Sequence, residues 1–438
     1  MEKLPHETLV RIYQFLPFKD LKNCLLISRR LSEAAEESIL WKNFPLKINQ
    51  RNIRNLADIL SLPRYRYLRS AIIQNCKLTN KDIRVISDSS LRTVQLGQHG
   101  EVEKDCNFSS LSAKLFASAV TKLEVFKLHN SLITEMSLIQ MQALLAEISS
   151  TRSLLRTLEL YYNNHLTCVI PDTLTSSLCN LSELTLIHQK LAPFKYENLF
   201  IAISKRASKL KMLNLSCNNL SHVNHEIFAK GICRINKTII SDCKLTLMMF
   251  GSLFSLIIEA DDVNLTNLDV SYNSNLRLLD PYLFAKALCN LTTVSISHCK
   301  VLESQLISLC NIFTANSVKF LNLSGNASST KIPALLLSQV VSRLEAFSLK
   351  STKLSSLLLC SIFSELANES SCLKALDIGG DFRLIDERIL ASAFRKLHKV
   401  NLANVILSQE QYTFLSKEFK EKINIENFKV ERKIKRTL

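Results

Sequence analysis

Leu210-Lys-Met-Leu213-Asn-Leu215-Ser-Cys-Asn218-Asn-Leu220 sets four leucines and an asparagine at the spacing LxxLxLxxNxL. The run Leu344-Glu-Ala-Phe347-Ser-Leu349-Lys-Ser-Thr352-Lys-Leu354 repeats it with Thr in the asparagine slot. Leu291, Val294, Ile296, Cys299 and Val301 repeat it with Cys there. The first apolar residue of each such unit falls at 68, 91, 123, 155, 181, 210, 235, 265, 291, 318, 344, 373 and 397, which is 13 units about 27 residues apart. From 155 onward every second unit is more alike than its neighbour. Asn163, Asn218, Asn273, Asn326 and Asp381 fill the slot in one set, and Cys243, Cys299 and Thr352 in the other. The pattern reads as growth by duplication of a two-repeat block of about 55 residues.

The physics of one unit follows from its spacing. Alternating apolar residues over a short strand turn one face inward. The Asn or Cys turns the chain and bonds inward-facing backbone. Between strands, stretches such as Pro281-Tyr-Leu-Phe-Ala-Lys-Ala-Leu288 have helical spacing, with Pro281 suited to a first helical turn. No unit can bury its own apolar face, so the units must stack into a continuous core. Over residues 65–407 the sequence resembles the helix-containing class of leucine-rich repeats. That resemblance implies an α/β solenoid, a horseshoe built on a curved parallel sheet.

Residues 4–44 read LPHETLVRIYQFLPFKDLKNCLLISRRLSEAAEESILWKNF. Leu9, Ile12 and Leu16 share a helical face, and Pro17 stops that helix. Asp20 is the expected N-cap of a second helix carrying Leu21, Cys24 and Leu25. Ser32 is the expected cap of a third, which closes at Leu40 and Trp41. Three short helices bury little core alone, so a partner surface is expected. The stretch resembles the F-box through Leu4-Pro5-His6-Glu7, Phe15-Leu16-Pro17, Asp20-Leu21, Ile27-Ser28-Arg29-Arg30 and Leu40-Trp41; Leu31 stands where many members carry an aromatic residue. The resemblance implies docking on a Skp-type adaptor, and through it on a cullin and a RING subunit. By the same carry-over, Leu4, Pro5, Leu9, Ile12, Leu16, Pro17, Leu21, Leu25 and Trp41 supply the contact.

The expected organisation is therefore a three-helix F-box at 1–45, a basic linker at 46–64, repeats over 65–407, and a helical cap with a basic tail at 408–438. Composition fits this order. The chain has 438 residues, is 47% hydrophobic, and carries a formal net charge of +16. The excess is concentrated: residues 46–84 hold 9 Lys/Arg against 2 Asp, and residues 417–438 hold 8 against 4 Glu. A field of that sign favours acidic partners. Seven glycines and no GxGxxG or GxxxxGK[ST] argue against a phosphate loop. The 13 scattered cysteines, without CxxC pairs, read as reduced thiols of the cytoplasm or nucleus. MEKLPHETLV lacks the pattern of a signal peptide, and no apolar stretch approaches a membrane span; Leu247 to Ile258 reads as a buried helix.

Candidate binding residues are sparse. From residue 210 on, the strand positions between the leucines are small and polar, as at Asn214, Ser216, Ser295 and Asn322, and point away from a specific ligand. Earlier units are richer: Lys127, His129, Glu159, Tyr161 and Tyr162 offer the charged and aromatic groups common at binding hot spots, and are the expected substrate contacts. Arg64-Tyr65-Arg66-Tyr67-Leu68-Arg69 interleaves cations and rings, a pattern able to bind nucleic acid but more economically read as packing on the first repeat. His222 and His225 match no zinc motif, and no catalytic constellation, metal or cofactor is expected. The resemblance implies a non-catalytic, substrate-recognising subunit of an SCF-type ubiquitin ligase. The other reading is a cytosolic leucine-rich scaffold or inhibitor.

Overall fold

The computed structural model describes residues 4–49, 56–97, 106–107, 110–129, 136–205, 208–313, 318–327, 331–350, 354–419, 423–426 and 429–431. The chain divides into two units, Met1–Asn214 and Leu215–Leu438.

The first unit opens with helices α1 (His6–Tyr13), α2 (Phe18–Cys24), α3 (Arg29–Ala35) and α4 (Ser38–Trp41). Strands and helices then alternate: β1 (Leu46–Asn49), α5 (Leu56–Leu60), β2 (Ser70–Gln74), α6 (Asn80–Asp88), β3 (Thr93–Gly97), α7 (Ala113–Thr121), β4 (Val125–His129), α8 (Leu138–Ile148), β5 (Thr157–Tyr161), α9 (Pro171–Leu178), β6 (Glu183–Ile187), α10 (Pro193–Ser204) and β7 (Met212–Asn214). Each strand pairs in parallel with the next in sequence.

The second unit continues the alternation with α11 (His225–Cys233), β8 (Lys237–Ile239), α12 (Leu247–Glu259), β9 (Asn267–Asp269), α13 (Pro281–Cys289), β10 (Thr293–Ser295), α14 (Glu303–Ile312), β11 (Phe320–Asn322) and α15 (Ala334–Arg343). It ends with β12 (Ala346–Leu349), α16 (Ser356–Ala367), β13 (Ala375–Asp381), α17 (Glu387–Lys396), β14 (Lys399–Ser408), α18 (Gln409–Glu418), β15 (Ile423–Glu426) and β16 (Lys429–Glu431). Its strands also pair in parallel and in order, and β14 takes both β15 and β16. This is a repeat solenoid of α/β type. Every strand from β2 to β14 begins two residues after a repeat start read from the sequence.

The buried column is the one the spacing implies. Leu215, Ile240, Val270, Ile296 and Leu323 are fully buried, as are Phe228, Phe250 and Phe284 of the helices. Pro281 starts α13 as expected, with Asp280 accepting from the Tyr282 and Leu283 amides at 3.0 and 2.9 Å. The buried helix read at Leu247 is α12, capped by Thr246.

The slot residues form a ladder of hydrogen bonds. Asn273 is buried; its Nδ2 donates to the Ile240 and Val270 carbonyls at 2.8 and 2.9 Å, and its Oδ1 accepts from the Cys243 and Leu245 amides at 3.1 and 3.2 Å. Asn326 does the same one block later, toward Ile296, Leu323, Cys299 and Val301. The intervening thiols complete the column: Cys243 Sγ donates to Leu215 O at 3.1 Å and Cys299 Sγ to Val270 O at 3.2 Å. Burial pushes both thiols up to about 12. Just before the slot the backbone turns left-handed, with positive φ at Asn75, Tyr162, His188, Cys217, Asp242, Tyr272, His298 and Gly325. Side chains tolerate this turn elsewhere, but at Gly325 a Cβ would collide with the His298 imidazole, which stacks on Tyr272 at 4.6 Å.

Several expectations are corrected. Residues 46–49, expected as the start of a basic linker, form a strand. Leu46 and Ile48 are buried, exposed Lys47 alternates with them, and β1 pairs with β2, so the sheet starts one strand earlier; the local charge hides that alternation. The tail after α18 adds strands as well as the expected helix, while 432–438 and Thr352 lie outside the described residues. The N-terminal module has four helices. Pro17, not Asp20, precedes α2, and Ser28, not Ser32, caps α3 by accepting from the Leu31 amide. Asp381 does not bond inward: a register shift in β13 after Ile378 turns it to Arg383, at 2.7 Å.

Asn273→Ala removes two donors and strands two buried amides, so it is expected to lower stability by about 3 kcal/mol. The exposed Asn236→Ala is expected to change it by less than about 0.5 kcal/mol. Urea unfolding followed by far-UV dichroism measures both.

Candidate functional site

The N-terminal helices pack around Leu9, Tyr13, Leu21, Leu31, Ala34, Ala35, Leu40 and Trp41. Trp41 anchors them. Its Nε1 donates to Ala35 O at 2.8 Å, and Phe18 meets its ring edge-on at 5.8 Å. So small a core is completed from the repeats: Tyr65 packs edge-on against Trp41 at 5.7 Å, and Arg64 lies over the same indole while pairing with Glu36. Arg64 and Tyr65 are thereby engaged in packing, the bland alternative to a nucleic-acid stripe.

The expected adaptor contacts split into two sets. Leu9, Leu21 and Trp41 are at most 1% exposed and hold the module together, so they offer no surface; that expectation is corrected. The reason is geometric. In helices this short the regular apolar positions are all needed inside. Leu4, Ile12, Leu16 and Leu25 are half-buried against that core, and Pro5 and Pro17 are exposed. The largest exposed apolar side chains were missed. Phe15 is 88% exposed, Leu26 85% and Ile27 64%. They sit in the turns after α1 and α2, where the chain leaves helical periodicity. An apolar residue beside, rather than on, the helical face was the available signal, in Phe15-Leu16 and Leu25-Leu26-Ile27.

Residues 1–47 match the F-box-like family model. The N-terminal module is F-box-like. The chain is thus an F-box-like module followed by a repeat solenoid. No curated protein matches it. Among solved structures it is similar to a chain of the crystal structure of the Rad7 and Elc1 complex in yeast, at 13% identity and a TM-score of 0.47, covering 96% of this chain and 92% of that one.

Beyond the F-box-like module, the residues expected to touch a substrate do come together, on β4 and β5. Lys127 and Glu159 are ladder partners, with Nζ to Oε1 at 2.8 Å; His129 Nε2 lies 3.1 Å from Oε2 of the same carboxylate and packs edge-on to Tyr161 at 4.3 Å. Tyr162 leaves this group. Its left-handed backbone turns it onto His188, stacked at 4.5 Å. Burial would raise the Glu159 carboxyl, but the hydrogen bonds from His129 and Lys127 outweigh it and hold it below the ordinary carboxylate range. Burial, with the Glu159 charge beside it, raises the Tyr161 phenol. The His222–His225 pair acquires no metal-like company: His225 Nδ1 meets Ser252 Oγ at 2.7 Å. Among the described residues no group of three His, Cys, Asp or Glu could hold a metal ion, and no helix is long and apolar enough to cross a membrane.

A carboxyl held low in the folded state contributes stability that is fully present above its unfolded value, about 4.3, and is lost as pH falls through the lower folded value. Glu159→Gln is therefore expected to lower the melting temperature at pH 7, and the gap to the parent should close below about pH 4. Thermal melts across pH 3 to 7 on both proteins check this.

Proposed function

We propose that this protein is a substrate-recognition subunit of an SCF-type ubiquitin ligase. It binds a Skp-type adaptor through the F-box-like module, and through it a cullin and RING subunit, and it holds a target protein on its leucine-rich repeats. The observation that carries the reading is the F-box-like match at residues 1–47. The module's physics supports it. A core of four short helices is small, and exposed Phe15, Leu26 and Ile27 are the kind of apolar surface that marks a protein contact. Pro17, two residues after Phe15, and Pro5 are exposed as well, and Leu4, Ile12, Leu16 and Leu25 are half-buried. The role is proximity. The receptor performs no bond chemistry and raises the effective concentration of the target at the ubiquitin-loaded enzyme. The Lys127, His129, Glu159 and Tyr161 cluster is a second contact surface in this reading.

Co-purification with a Skp-type adaptor and cullin tests it. Phe15→Asp with Leu26→Asp changes two exposed side chains, so the module is expected to stay folded while adaptor retention falls by about tenfold or more. Leu21→Ala, in the core, is expected instead to destabilise the module by about 2–5 kcal/mol. A folded parent chain that retains no adaptor would leave the repeats as a scaffold without a ligase role.

A further inference from the structure

The second unit carries a hollow of about 440 Å³ on the sheet face whose residues alternate with the buried leucines. Strand register explains it. Phe320, Ala346, Ala375 and Lys399 occupy one row across β11 to β14, each paired with the next. Two alanines between a phenylalanine and a lysine leave a dip, walled on one side by a ring that is 42% exposed and on the other by an exposed ammonium. The next row along the strands is Asn322, Ser348, Asp377 and Asn401.

Two acceptors of that row are buried without a hydrogen-bond partner, Asp377 Oδ1 and Asn401 Oδ1, and both residues line the hollow. The other oxygen of Asp377 is engaged, with Lys350 Nζ at 2.9 Å and Ser348 Oγ at 3.3 Å. Its charge is therefore countered while Oδ1 still lacks a donor. A buried acceptor left unmatched costs about 1–3 kcal/mol, which a ligand N–H would recover. The surroundings are cationic. Of the residues that line it, Lys350 and Lys399 face one carboxylate, Asp377. One residue before Phe320, Ala346 and Ala375, a second carboxylate, Glu345, is shared between Lys319 and Lys374 at 3.2 and 3.1 Å. Lys399 makes no ion pair among the described residues, which leaves the excess positive charge at the hollow's edge.

We propose that this hollow seats an extended acidic peptide segment of the recruited protein, a refinement that rests on the receptor reading above. One apolar side chain lies on Ala346 and Ala375 against the Phe320 ring. Asp377 and Asn401 turn their unmatched Oδ1 atoms, buried in the hollow, toward the segment and accept from its backbone N–H groups. A carboxylate of the segment meets Lys399. This division of labour follows from the surface: the main chain supplies donors, the dip takes one side chain, and the rim selects the charge.

The test uses the full chain co-purified with a Skp-type adaptor. The probe is an oriented pool of fluorescent ten-residue peptides, with Leu, Ile, Val, Met or Phe at the centre and Asp or Glu at the flanks. Matched pools carry Lys or phosphoserine at the flanks, or Gly at the centre. Anisotropy is expected to show the acidic apolar pool binding at least about tenfold tighter than the Lys and Gly pools. Lys399→Glu, on an exposed side chain, and Ala375→Trp, which fills the dip, should each remove about tenfold of that affinity while adaptor retention is unchanged. Equal binding of the acidic and Lys pools, or undiminished binding by Lys399→Glu, overturns the proposal. So does a preference of tenfold or more for phosphoserine over carboxylate. Retained adaptor with no peptide preference sinks this inference alone. Lost adaptor in the parent chain sinks the receptor reading, and the peptide titration on the chain by itself then still decides the hollow. Should Ala375→Trp misfold, Lys399→Glu carries the decision.

Discussion

A buried strand end must have its backbone groups satisfied, and here that requirement is met by one column of side chains. Each short strand runs into a left-handed turn, and the turn leaves carbonyls and amides inside the solenoid where water does not reach. Asn218, Asn273 and Asn326 answer with amides that donate and, in the last two, also accept; Cys243 and Cys299 answer with thiols that donate backward to the preceding repeat. The alternation of Asn and Cys is therefore not free variation. Asn273 and Asn326 both donate to and accept from the preceding repeat, and the Cys243 or Cys299 of that repeat in turn donates to the repeat before it. Gln305 and Gln411 meet the same need at the turn into a helix, taking two carbonyls each. Lys195 does so in the first unit with its ammonium, toward Leu166 and Val169, and its burial lowers the amine's proton affinity.

Because that column keeps successive strands in register, it also decides what the opposite strand positions do. Residues on the face between the leucines line up in rows, and their properties add along the row. Polar groups on adjacent strands can satisfy each other, as Lys127, His129 and Glu159 do on β4 and β5. Small residues on adjacent strands make a depression, as Ala346 and Ala375 do. Neither effect belongs to a single repeat.

The F-box-like module follows a different logic. Its helices are too short to offer one face inward and a second face outward from the same periodic positions. Leu9, Leu21 and Trp41 are taken by the interior, and the interior still needs Tyr65 from beyond the module. What remains for a partner is carried by the turns, at Phe15, Leu26 and Ile27, where irregular backbone exposes large side chains.

The repeat spacing by itself determined the strands from β2 to β14, the helices between them and the buried slots, because each depends on residues within about a dozen positions and on a period that side-chain geometry fixes. The different spacing over residues 4–44 pointed to short helices before the repeats, which α1 to α4 are. Spacing did not reveal β1, where lysine and arginine obscure a short alternation, nor which F-box-like leucines face inward, since exposure depends on what packs against a helix and not on the helix. The cluster around Glu159 was half legible: its residues were picked out, but not that they satisfy one another. The hollow was not legible at all. Ala346, Ala375, Phe320 and Lys399 are unremarkable in their own repeats and lie tens of residues apart. Only parallel pairing in register sets them in one row, and a depression is a property of the row.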